Sequence, residues 1–175
     1  MRRYIQILLI ILPTLCLAEE YPPIDFYTDG VIENGDAYSV VQTFNNATVD
    51  MIGGGIHNYL FMFNNSTFNA NGGSFYELTD VSVSDFAVLN LFYLQTIPGR
   101  IWAQESASIH IYGKNFLYEQ HSSDWWLYGS WSNNDEFTLI FRGPDTRNHV
   151  VLHEIPEPVT LLLLSVGTIL IRRKR

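Results

Sequence analysis

A gapless internal repeat most constrains what this chain can fold into. Residues 44–56 align position by position with residues 63–75, an offset of 19, in the pattern F-N-N-small-T-apolar-x-apolar-x-G-G-x-apolar. A weaker third copy places Phe86 18 residues after Phe68, and a fourth spans Ala107 to Phe116 after a loop with Pro98 and Gly99. Fixed periods near twenty residues predict stacked supersecondary units, none of which buries its own apolar face alone.

Each copy alternates apolar and polar residues, which is the spacing of a strand and not of a helix. The sequence therefore predicts an all-β fold, a short β-solenoid whose equivalent side chains stack in apolar columns. The predicted inward columns are Val49, Phe68, Phe86 and Ile109, and Met51, Ala70, Val88 and Ile111. The same alternation permits an antiparallel meander or sandwich, but such a fold does not require the same corner residues every 19 positions.

Corner chemistry and flanking segments set the predicted limits of this repeat domain. Gly-Gly pairs after each strand permit sharp corners, and asparagine pairs before each strand suit turns or side-chain ladders between coils. The domain is predicted over residues 19–153, with repeats at about 44–60, 63–79, 81–96 and 104–118. Residues 21–38 are predicted to lead into the stack with one or two strands, and residues 137–141 and 150–152 to close it.

Charge separates this domain sharply from both ends of the chain. Between residues 19 and 158 lie all 18 acidic residues but only four basic ones, Arg100, Lys114, Arg142 and Arg147, a net charge of −14. Such a surface argues against binding nucleic acid or anionic lipid and suits divalent cations or neutral glycans. The one cysteine, Cys16, falls in the leader described next, so no disulfide is expected.

The N-terminal segment has the parts of a secretory signal peptide. Arg2 and Arg3 form a basic start, residues 5–17 are mostly apolar, and small residues at Cys16 and Ala18 suit cleavage after Ala18. Residues 1–18 are therefore predicted to be a signal helix that export removes. Lipidation at Cys16 is the alternative, although Leu15 before it is large for a lipoprotein signal.

The C-terminal segment combines three features in a fixed order. Pro156, Glu157 and Pro158 precede an uncharged apolar stretch, residues 159–171, and the chain ends with Arg172, Arg173, Lys174 and Arg175. Proline suits the first turn of a helix, and terminal basic residues favour the cytoplasmic side of a membrane. A helix of this length covers only about 20 Å, so spanning the bilayer would need help from flanking residues or local thinning.

Residues 154–175 resemble the PEP-CTERM sorting signal of exported bacterial proteins. The Pro-Glu-Pro motif, the leucine run and the arginine-rich end carry the resemblance, and the repeat domain is similar to short β-helix-like passengers of planctomycete members. The resemblance implies a transient inner-membrane anchor that an exosortase recognises and processes, export to the cell surface or outside, and association with extracellular polysaccharide. The alternative is an ordinary tail anchor.

Candidate catalytic residues are sparse, and neither a cofactor nor a metal is expected. His149 and His153 are four apart in a strand-like run, about 13 Å, too far to share a metal. Asp50, Asp85 and Glu105 offer the alternative of a carboxylate pair for glycoside cleavage.

Four aromatic residues near the end of the repeats form the last candidate group: Trp125, Trp126, Tyr128 and Trp131. They are expected to form a lid over the last coil, or alternatively a surface on which sugar rings stack. The sequence as a whole predicts a non-catalytic exported surface or matrix protein. The alternative is a carbohydrate-binding or polysaccharide-degrading module.

Overall fold

The computed structural model describes residues 20–76 and 79–156, and the predicted signal helix, the membrane helix at 159–171 and the terminal basic cluster lie outside them. The described residues are all-β, and no helix among them is long and apolar enough to cross a membrane. Residues 20–76 and 79–156 form the strands β1 (Ile24–Phe26), β2 (Gly30–Ile32), β3 (Ala37–Thr43), β4 (Thr48–Met51), β5 (Gly55–Met62), β6 (Thr67–Asn71), β7 (Ser74–Phe75), β8 (Asp80–Val83), β9 (Val88–Tyr93), β10 (Arg100–Ala103), β11 (Ser108–His121), β12 (Asp124–Ser130), β13 (Glu136–Phe141) and β14 (Val150–Glu154), with a 3₁₀ turn at Thr146–His149.

The chain winds as a solenoid of about four turns, and each turn contributes one strand to each of two parallel sheets. Sheet A has the order β1-β3-β5-β8-β10-β13, and sheet B has the order β2-β4-β6-β9-β11-β14. Strands within the stack pair in parallel. The predicted β-solenoid is confirmed, because an antiparallel meander would pair successive repeats in the opposite sense.

The apolar core lies between the two sheets, and the first pair of repeats stacks as predicted. Val49 pairs with Phe68 and Met51 pairs with Ala70, and all four side chains are fully buried. The residues between them in sequence point outward, as the period of two requires. Stacking of equivalent positions thus buries apolar area that no single coil could bury.

The third repeat corrects the predicted columns. Phe68 pairs with Leu89 and Ala70 pairs with Leu91, so the third coil is two residues longer than the second. Phe86 is 65% exposed and Val88 points outward, so their assignment to the inward columns was wrong. The physical reason is that the left-handed turn at Asp85 includes Phe86, so Phe86 lies in the corner and not in strand β9.

One turn geometry recurs at the corner where each coil passes from sheet A to sheet B. Asn45, Asn64, Asp85 and Glu105 occupy equivalent positions, with φ angles of 59°, 58°, 59° and 61°. Asparagine and aspartate tolerate this left-handed region better than other non-glycine residues. The side chains of Asn64, Asp85 and Glu105 also each accept a hydrogen bond from the backbone N–H of the equivalent residue one coil earlier, at 3.0, 2.6 and 3.1 Å.

A second corner, from sheet B to sheet A, depends on glycine. Gly54 has φ +69°, and a Cβ at this position would lie 2.7 Å from the carbonyl oxygens of both Glu33 and Asp36. Gly73 occupies the same place one coil later with φ +75°. The Gly-Gly corners predicted from the repeat are therefore sites where a coil approaches its neighbour closely.

The C-terminal end is closed by an antiparallel insertion. Strand β11 begins in sheet B and continues into a hairpin with β12, which pairs with β13. The chain then resumes the solenoid, because β13 pairs in parallel with β10 and β14 with β11. The predicted closing strands are present as β13 and β14, and the lead-in, predicted to hold one or two strands, contains β1 and β2.

Candidate functional site on the outer face of sheet A

The outer face of sheet A carries a row of aromatic and basic side chains. In β5, Leu60 and Met62 point into the core, so Tyr59 and Phe61 point outward. The same alternation in β10 places Ile101 inside and Arg100 and Trp102 outside. Strand pairing brings further outward residues alongside, and together they form the aromatic face: Tyr59, Phe61, Arg100, Trp102, Trp126, Tyr128 and Arg142.

This face is accessible to solvent. Tyr59 is 45% exposed and Trp102 is 48% exposed, values well above those of a core aromatic residue. Three strands lie between those of Tyr59 and Trp126, so four strand spacings, about 19 Å, separate the two residues. Exposed aromatic side chains gathered on one surface are a mark of a binding site.

Ring contacts hold several of these side chains in place. Tyr59 and Phe61 stack with ring centroids 5.3 Å apart. Arg142 lies over the Trp102 ring, 5.9 Å from its centroid, a cation–π contact. The aromatic face is therefore organised before any ligand arrives, which lowers the entropic cost of binding.

The four aromatic residues predicted from the sequence separate into two groups. Trp126 and Tyr128 belong to the aromatic face, on the outer side of β12. Trp131 is only 1% exposed and packs on Phe137, with centroids 4.1 Å apart. Trp125 lies on the inner side of β12 under Arg147, whose guanidinium is 4.2 Å from the ring centroid. Trp126 and Tyr128 thus lie on the outer side of β12, whereas Trp125 lies on its inner side and Trp131, just after the strand, is buried.

One tyrosine near each of these two groups has a raised pKa, and the causes differ. In the cap, the antiparallel insertion that closes the C-terminal end of the solenoid, burial raises the pKa of Tyr118 to about 12. The positive charge of Arg147 acts in the opposite direction. On the aromatic face, the pKa of Tyr128 is raised, first by desolvation and then by the nearby Glu119 carboxylate. Both phenols therefore keep their proton at neutral pH and can donate a hydrogen bond.

Sequence reasoning missed three members of the aromatic face: Tyr59, Phe61 and Trp102. They lie in the sheet A half of the coil, outside the aligned segment that defined the repeat. The available signal was the alternation of Tyr59-Leu60-Phe61-Met62, which has two aromatic residues on one side and two aliphatic residues on the other.

The outer face of sheet B has a different chemistry. Asn90 Nδ2 donates to Asn69 Oδ1 at 2.8 Å, and Asn69 Nδ2 donates to Asp50 Oδ1 at 2.7 Å. Further along this face His110 Nδ1 and His153 Nε2 share a hydrogen bond of 2.8 Å. Burial, and then the neighbouring His153, lower the pKa of His110. These polar side chains satisfy one another along the stack.

The other candidate residues serve as structural acceptors or lie apart. The Asp85 and Glu105 carboxylates accept backbone N–H groups in the corner ladder, and Asp50 accepts from Asn69. His149 bonds through Nδ1 to the Ala107 carbonyl at 2.9 Å and does not approach His153 as a metal ligand. No group of three or more metal-ligating side chains occurs among residues 20–76 and 79–156.

Comparison of the chain with protein-family models, curated proteins and solved structures gave no match.

Proposed function

We propose that this chain is a non-catalytic exported protein of the cell surface or extracellular matrix, sorted by an exosortase through Pro156, Glu157 and Pro158. The signal-like segment that ends at Ala18 and the terminal Arg172–Arg175 cluster support this proposal from the sequence. The signal-like segment, the proposed transient inner-membrane anchor at residues 159–171 and the basic cluster lie outside the described residues.

The observation that carries the proposal is how closely the solenoid approaches the sorting motif. Strand β14 pairs with β11 through Glu154, and the Ile155 N–H donates to the Gly113 carbonyl at 2.8 Å. Pro156 follows directly. The passenger therefore ends in a closed coil immediately before the motif, with no long linker, as a small domain displayed close to a membrane would.

The structural use of the acidic side chains supports a non-catalytic role. Asp50, Asp85 and Glu105, the alternative glycosidase carboxylates, each accept a hydrogen bond that ties one coil to the next. A catalytic acid must lie within hydrogen-bond reach of its substrate, whereas these carboxylates are hydrogen-bonded to a neighbouring coil.

The test replaces Pro156, Glu157 and Pro158 with alanine in a host that encodes an exosortase. The protein should still enter the membrane, because residues 159–171 and the basic cluster are unchanged, but processing should stop and the full-length form should accumulate. Deletion of Arg172–Arg175 is the companion variant, and it should disturb membrane orientation instead. Fractionation and immunoblotting report both effects. Normal release of the alanine variant would leave a plain tail anchor.

A second function, saccharide binding, is favoured by the aromatic face. Sugar rings stack on exposed aromatic faces. Tyr59 and Trp102 present such faces, and the half-buried Trp126 and Tyr128 continue the row. An exported matrix protein that binds polysaccharide through this surface would be retained in the matrix after release from the membrane. Loss of binding in Trp102→Ala, with no loss in a variant of an exposed aromatic residue elsewhere, tests this function.

A further inference from the structure

The basic residues of the passenger are distributed unevenly over its surface. Of the four between residues 19 and 158, Lys114 is buried and Arg147 covers Trp125 in the cap. The other two, Arg100 and Arg142, lie on the aromatic face, beside Trp102. Arg100, Arg142 and Arg147 are all exposed, and Arg142 and Arg147 each lie over a tryptophan ring. Two of the three exposed arginines of a strongly acidic domain thus lie where its exposed aromatic rings are.

These two arginines lie close enough to act on one ligand group. Arg100 is two residues before Trp102 on β10, and Arg142 extends from the neighbouring strand beside Trp102. From strand geometry their Cα atoms are roughly 8 Å apart, and both side chains are long enough to meet between them. With Tyr59, Phe61, Trp102 and one carboxylate, that of Asp80, they line a shallow pocket of about 290 Å³. This is the low end of the range for ligand pockets and suits a single sugar ring.

Neither arginine is neutralised by an ion pair. The one ion pair that joins residues of the described ranges is between His121 and Glu119, at 3.3 Å. Asp80 is in register with Arg100 on the adjacent strand but outside ion-pair distance. Asp124, on the strand beyond Arg142, accepts a hydrogen bond from the Gly143 N–H at 3.2 Å. The guanidinium groups are therefore available to an anion from solution.

We propose that the aromatic face binds an oligosaccharide that contains an acidic sugar, with the sugar carboxylate held by Arg100 and Arg142. The ring of that sugar stacks on Trp102, and the flanking rings follow the row toward Tyr59 and Trp126. Arginine suits this task because its planar guanidinium donates paired hydrogen bonds to a carboxylate. Asp80, which lines the same pocket in register with Arg100, accepts a hydroxyl group of the bound sugar.

This inference rests on the proposed saccharide binding and extends it to the class of sugar. The test uses the full-length chain in detergent and pairs of uronate-containing oligosaccharides, each with its methyl-esterified form, immobilised side by side on an array. The two forms share rings and linkages and differ only in charge. Binding should favour the free acid by about tenfold, since a charge-assisted bond is lost on esterification. The preference should shrink as salt rises.

Variants then locate the site. Arg100→Gln and Arg142→Gln should each remove most of the preference for the free acid, while Trp102→Ala should remove binding of both forms. Trp102→Phe should restore part of this binding, which distinguishes the loss of a stacking ring from a loss of folding. Phe86→Ala is the matched control. Phe86 is exposed at a corner away from the aromatic face, so this variant should bind both forms normally.

The outcomes separate the two proposals. Equal binding of acid and ester that disappears in Trp102→Ala would overturn the acidic-sugar inference and leave saccharide binding intact. An absence of binding to every acidic and neutral probe would overturn both. Loss of binding in Phe86→Ala as well would show that the face is not the site.

Discussion

The two outer faces of the solenoid are built from the same coils in the same register, yet their side chains are used differently. On sheet B, Asn90, Asn69 and Asp50 form a hydrogen-bonded row from coil to coil. On sheet A, the corresponding outward positions hold Tyr59, Arg100 and Trp102. The sheet B row joins its members to one another, whereas the sheet A row presents rings and cations to solvent.

This difference shows that repetition and function occupy separate halves of each coil. The half that forms sheet B keeps the repeat, because a ladder requires the same polar residue type at each level. The half that forms sheet A varies from coil to coil, from tyrosine to aspartate to arginine. A stack needs one conserved ladder to fix its register, and the opposite face is then free to acquire a binding surface.

The comparison of the two outer faces depends first on the register of the third coil. The largest change in the free energy of unfolding is expected from a substitution there. Leu89→Asp would place an unpaired carboxylate in the core of sheet B and should lower the free energy of unfolding by at least about 3 kcal/mol. Phe86→Asp is the matched control, because this side chain is 65% exposed, and it should change stability by no more than about 0.5 kcal/mol. Urea unfolding of both variants measures the difference. Equal losses would restore the register predicted from the sequence and change which residues face outward.

The next largest effect is expected at the corner that carries the chain from one face to the other. Gly54→Ala combines a positive φ with two carbonyl oxygens 2.7 Å from the new methyl group. It should cost more than about 2 kcal/mol and should weaken both faces together. Gly143→Ala has a similar φ of +79° with open space around it, so it should show only the backbone strain, about 1 kcal/mol. Similar melting temperatures for the two variants would mean that close approach of the coils contributes nothing at this corner.

Sequence reasoning was successful for the repeat half of the coil and failed on the other half, for a physical reason. The Asn and Gly corners followed from residue types that tolerate a left-handed backbone conformation. The pairing of Val49 with Phe68 followed from the 19-residue offset of the repeat. The third coil was misplaced because Asp85 supports the same left-handed turn as Asn64, and an asparagine pattern does not reveal an aspartate. Tyr59, Phe61 and Trp102 of the aromatic face were missed because they come from successive coils that pair in parallel through β8, and pairing between distant segments is invisible in local periodicity.

A third pair of variants compares the faces directly. Asn69→Ala removes both side-chain hydrogen bonds of the central ladder residue of sheet B and should cost about 1 kcal/mol. Ser82→Ala, at a central outward position of sheet A, should change stability by less than about 0.5 kcal/mol. Thermal melts give the stabilities, and the saccharide array gives the reverse comparison, since Asn69→Ala should bind normally. If Ser82→Ala is the more damaging substitution, the sheet A residues are structural too.

The smallest effect is a difference in the pH response of the two faces. The pKa of His110 on sheet B is lowered by burial and then by the neighbouring His153. In the unfolded chain His110 takes up its proton near pH 6.5, before the folded chain does, so the unfolded state binds more protons as the pH falls. The stability contributed by the neutral ring is therefore present above pH 6.5 and decreases as the pH falls through the lowered pKa of the folded state. Urea unfolding between pH 8 and pH 5 should show this loss in the native chain and a shallower one in His110→Asn. An unchanged slope in that variant would show that the His110–His153 pair does not couple sheet B to pH.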